Sequence, residues 1–155
     1  MALKLPREAF LAIAAVGWSD GWMRKKEAAG LLRAARVCGL DGADLAEVEA
    51  AAAKAPSLET LDLSGVGAWE AAVTYAIAVW LAKLDGVVNA EELANLRTLR
   101  DRFGVPQPKL DAAASAAFDV TCLPGGASVD SFDFEALEAR LREKLPALSV
   151  PPAAG

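Results

Sequence analysis

At 155 residues and 54% hydrophobic, with a mean hydropathy of +0.27, the chain can bury a true core and is far too apolar for disorder. A net charge of −5 and a pI of about 4.8, with no lysine–arginine stripe interleaved with aromatics, argue against a nucleic-acid interface. Histidine is absent and the two cysteines, Cys38 and Cys122, form no C-x-x-C pair, which removes the usual general base and a thiolate zinc site.

The elements follow in order. A first helix begins after Pro6, covers residues 7–18 and is broken by Ser19-Asp20-Gly21. Residues 25–38 form a second, with Ala28, Leu31, Leu32 and Ala35 on one face and Gly39 placed to end it. A third starts at Asp41 or Gly42 and runs through residue 53, where Ala55-Pro56-Ser57 stops it. Residues 57–67 are a connector with a short helical turn at 58–61. Trp69, Val73, Ile77, Trp80 and Leu84 then recur at helical spacing and mark a long buried fourth helix, ended by Asp85-Gly86. Asn89 caps a fifth, with Leu93, Leu96, Leu99 and Phe103 inward and Gly104 as its stop. Gln107-Pro108 opens a sixth to about residue 118, and a loop at 121–129 contains Pro124-Gly125-Gly126. The last helix, about 133–145, carries Phe134, Leu137, Leu141 and Leu145 on one face and a Glu138–Arg142 pair. The cysteines read as small buried hydrophobes, with a bridge between them left open. The longest apolar run, residues 71–82, is about half a membrane span, and no leader pattern opens the sequence, so a cytoplasmic, non-spanning protein is expected.

Displaced by 65 positions, the sequence matches itself: Asp20-Gly21 on Asp85-Gly86, Glu27 on Glu92, Leu31 on Leu96, Gly39 on Gly104, Leu45 on Leu110. The motif thus occurs twice, as SDGWMRKKE and LDGVVNAEE, each within a unit of long helix, D-G turn, helix, glycine stop and helix. The fold expected is all-α, a single domain of six to seven helices built from two such three-helix units. An alanine-rich helix, then D-G-x-[apolar]-x-x-x-E, then helix and glycine, given twice over residues 6–118, resembles the TerB-like family, named for tellurite-resistance operons and also found fused to J-domain co-chaperones. The resemblance implies an all-helical fold; Pro146, placed to stop the last helix, sets the expected bounds, a helical domain over residues 1–146 and a flexible tail at 147–155. The resemblance further implies an acidic metal site and a role in stress-response or membrane-associated protein complexes. The second copy matches better; in the first, Trp18 and Trp22 flank the turn and Arg24-Lys25-Lys26 makes it cationic.

Two readings of the motif compete. In one, Gly86 ends a helix, Asp85 accepts turn amides, and Asn89 with Glu92 forms a capping box. Glu27 weakens this reading, because it is kept although Arg24 replaces the capping asparagine. In the other, Asp20, Glu27, Asp85 and Glu92 converge on a hard all-oxygen site suited to Ca²⁺, Mg²⁺ or Mn²⁺. An EF-hand is rejected, since Leu81 and Lys83 stand where its first acids belong. Trp22, with Arg24, Lys25 and Lys26, is the candidate partner patch. The functional expectation is a non-enzymatic interaction module with an unidentified protein partner; a homodimer is compatible with it. The alternatives are a purely structural or assembly subunit without metal, and, ranked below both, a carboxylate-based hydrolase.

Overall fold

Alanine and leucine at helical spacing drive nearly every segment into helix. A computed structural model describes residues 4–18, 21, 23–84, 90–124, 126 and 128–149. Among these there is no strand, and the all-α expectation holds. The helices are α1 (Arg7–Gly17), α2 (Lys25–Val37), α3 (Gly42–Ala53), α4 (Ala68–Ala82), α5 (Ala90–Phe103), α6 (Gln107–Thr121), α7 (Phe134–Lys144) and a single turn, α8 (Pro146–Ser149). A 3-10 turn, Leu58–Thr60, interrupts the connector where the short turn is predicted.

Two helices are apolar almost all round and therefore sit innermost. In α1, residues from Ala9 to Gly17 are buried except Leu11; in α4, those from Ala71 to Ala82 are buried except Tyr75. They pack on each other, α1 also meeting α2, α3 and α5, and α4 meeting α2, α5, α6, α7 and α8. Polar ties orient this core. Trp18 Nε1 donates to Ala51 O at 2.7 Å, locking α3 to the end of α1, while the Arg7 guanidinium reaches Glu47 at 3.1 Å. Arg102 of α5 donates to Leu58 O, and to Leu61 O at 2.6 Å, holding the connector.

The two glycine stops act as expected by different hydrogen-bond patterns. Gly39 has φ 91°, and Leu40 N donates to Ala35 O while Gly39 N donates to Arg36 O, the paired bonds of a Schellman ending. Gly104, φ 65°, closes α5 with a single bond from its N–H to Arg100 O. Asp133 caps α7 by accepting from Ala136 N at 3.0 Å, and Glu138 pairs with Arg142 at 3.6 Å.

Four expectations need correction. Eight α-helical elements are present among the described residues, not six or seven, because Pro146 starts a further turn instead of ending the fold. That turn packs on α7 and α4 with Leu148 against the core, so residues 147–149 do not belong to a free tail; residues 150–155 lie outside the described residues. Leu93 is 44% exposed rather than inward. Cys122 is exposed, and both cysteines are free thiols; only Cys38 is buried, and burial pushes its thiol pKa up to about 12.

The chain after α6 returns through an aromatic cluster. Phe132 stacks on Trp80 with ring centroids 4.4 Å apart, and Phe134 meets both edge-on at 5.4 and 5.0 Å. The Arg33 guanidinium of α2 lies 4.8 Å over the Phe134 ring, and its Nη1 donates to Val129 O at 3.0 Å. The incoming segment is thereby held on α2 and α4.

Candidate functional site: a lysine-rimmed groove beside a buried glutamate

The start of α2 is built from a conflict. Its N-cap is Arg24, whose side chain offers no acceptor to the free amides of the first turn. Glu27, in the third helical position, reaches back instead: its Oε1 accepts from Arg24 N at 3.3 Å and lies 3.8 Å from Arg24 Nη1. Half of a capping box therefore forms although the cap residue is an arginine. Its carboxylate is carried over the end of α1, where a Cβ added to Gly17 would meet Glu27 Oε2 at 3.5 Å and Met23 Cε at 2.9 Å. Glu27 is 2% exposed, and Glu92, third in α5, is 5% exposed.

Because Glu27 works as an acceptor for the helix start, Glu27→Gln, which keeps an amide oxygen there, is expected to cost well under half of what Glu27→Ala costs. The alanine variant should lose about 1–3 kcal/mol in urea unfolding. Equal losses for the two variants would show that the carboxylate charge, not the oxygen's position, matters.

Of the acids predicted to converge, only Glu27 and Glu92 can be placed; Asp20 and Asp85 lie outside the described residues, as do Trp22 and Asn89. Among the described residues, no three His, Cys, Asp or Glu side chains group as metal ligands. The first-turn glutamate is moreover already engaged by a backbone amide and a guanidinium, so it brings its own counter-charge.

The basic run divides in two. Arg24 pairs with Glu27, whereas Lys25 and Lys26 are exposed and, among the described residues, make neither an ion pair nor a hydrogen bond. They rim a groove of about 410 Å³ whose other lining residues are Ala29 of α2, Leu84 just after α4, and Ser128, Val129 and Asp130 before α7. Leu84, Val129 and Asp130 were not among the predicted site residues. Their arrival depends on contacts between residues far apart in sequence, the Arg33–Val129 bond and the Phe132–Trp80 stack.

A second hollow, about 350 Å³, contains two acids, Asp133 and Glu135, beside Arg33. Asp133 is already committed to capping α7. The described residues thus offer a cationic, partly apolar groove as the chemically distinctive surface, and no helix among them is long and apolar enough to cross a membrane. No family model, curated protein or solved structure matches the chain.

Proposed function

We propose that the chain is a non-enzymatic, TerB-like interaction module made of two three-helix halves related by an approximate two-fold axis. The observation that carries the interaction reading is the groove with aliphatic side chains within it and, at its rim, two lysines that form no ion pair among the described residues. The repeat is supported by helix boundaries: α1 and α4 end at 17 and 82, α2 and α5 start at 25 and 90, α3 and α6 start at 42 and 107, each pair 65 apart. It is supported also by a contact made twice with sizes exchanged. A Cβ on Gly30 would stand 3.2 Å from Trp80; at the matching places Asn95 Nδ2 donates to Ala15 O at 3.4 Å.

The test is affinity capture with the full chain from cells that express it, followed by size-exclusion chromatography. One stoichiometric protein partner is the expected result. A chain that elutes alone and turns over a small molecule would replace this reading with the hydrolase.

The burial of both motif glutamates at matched positions favours a second reading, a Ca²⁺, Mg²⁺ or Mn²⁺ ion shared with Asp20 or Asp85. A cation bound only by the folded chain raises the melting temperature by mass action, by about 2.7 kcal/mol of stability at a hundredfold excess over Kd. Melts in EDTA and in each cation decide it: a rise that Asp85→Asn removes supports the ion, and identical curves leave the glutamates as helix-start acceptors.

A further inference from the structure

We infer that the groove between the first turn of α2 and the 128–130 loop docks a short acidic, amphipathic segment of a partner protein. This rests on the interaction reading above and names the chemistry of the partner. Lys25 and Lys26 occupy the first two positions of α2, where the exposed amides and the helix dipole already place positive charge. Structure alone disfavours cations there, and among the described residues no acid neutralises these two. Their charge is available to a ligand on a chain that is otherwise net negative, so an acidic partner repelled elsewhere is steered to this rim.

The groove is not merely electrostatic. Ala29 lies one turn beyond Lys25 on the same helix face, and Leu84 and Val129 supply aliphatic contact. Arg33, one turn further along α2, donates to Val129 O and so ties the loop to this helix. A volume of about 410 Å³ fits a few side chains, not a whole domain face. Asp130 on the opposite wall repels carboxylates. It therefore sets polarity: the segment's acids lie toward α2 and its aliphatic side chains toward the loop.

The test uses the full chain and a fluorescein-labelled peptide with leucines at helical spacing flanked by glutamates, read by fluorescence anisotropy. Saturable one-to-one binding is expected, weakening as salt rises. The double variant Lys25→Glu/Lys26→Glu should bind about tenfold or more weakly. Its melting temperature should equal or exceed that of the parent, because acids suit this end of a helix. Ala29→Glu, at an exposed position, should weaken binding as well. The proposal is overturned if a scrambled peptide of the same composition binds equally, if a lysine-for-glutamate peptide or a single-stranded DNA binds better, or if the double reversal changes nothing. Absence of peptide binding alongside capture of a stoichiometric partner overturns the groove assignment while leaving the interaction reading intact.

Discussion

Replacing Phe132 by alanine should destabilise the fold by about 3–5 kcal/mol, the range for truncating a fully buried aromatic. For a chain of this size that is a fall of roughly 6–20 °C in Tm, measured by calorimetry beside urea unfolding. Phe132 is wholly buried and stacks on Trp80, which itself fills the space left by Gly30. Removing the ring takes one face from Trp80 and an edge contact from Phe134, so three elements loosen together. Phe132→Leu keeps most of the volume and should cost less than about 1.5 kcal/mol. A loss below about 1 kcal/mol for the alanine variant would mean that the segment before α7 is not docked as described.

Gly126→Ala is the second large expected effect, about 1–3 kcal/mol from a single added methyl group. The new Cβ would stand 2.2 Å from Val120 O, 2.8 Å from Thr121 O and 2.9 Å from Leu123 O. All three are backbone atoms, two in the last turn of α6 and one just after it, so no rotamer change relieves the overlap; Gly126 must move away, breaking the 2.7 Å bond from its N–H to Leu123 O. Gly65→Ala is the matched control, since nothing lies within 4 Å of its added Cβ. There the alanine should be neutral or add up to about 1 kcal/mol by restricting the unfolded chain. Similar urea midpoints for the two variants would remove the steric account.

The sequence was most informative where a residue has one dominant local use. Gly39, Gly104, Asp133 and the Glu138–Arg142 pair each do what their type and position predict. It misled where burial contradicts polarity. In α5 the inward stripe is Glu92, Leu96 and Leu99, at i, i+4 and i+7, and in α2 it is Glu27, Leu31 and Ala34 at the same spacing. A reading that puts leucines inside and glutamates outside therefore shifts the stripe by one residue and buries Leu93, which is exposed. The groove was half legible: Lys25 and Lys26 stood out as charge on a turn, but Leu84 and Val129 carry no local mark of their place opposite them. Cys122 was misread for a related reason, since composition favours burial of cysteine while position just past α6 leaves it in solvent.

The connector between α3 and α4 is the covalent bridge from the first three helices to the rest, yet it is not what holds them together. α1 lies directly on α4 and α5, and Arg102 of α5 grips the bridge itself at Leu58 and Leu61. A cut beside the exposed Lys54 would leave those contacts whole and remove only the high effective concentration that a tether supplies. Expressed as two separate polypeptides divided there, the pieces should find each other and reconstitute the fold, with an affinity set by the α1–α4 surface. The molecule is in this sense a complex of two fragments that happens to be encoded as one.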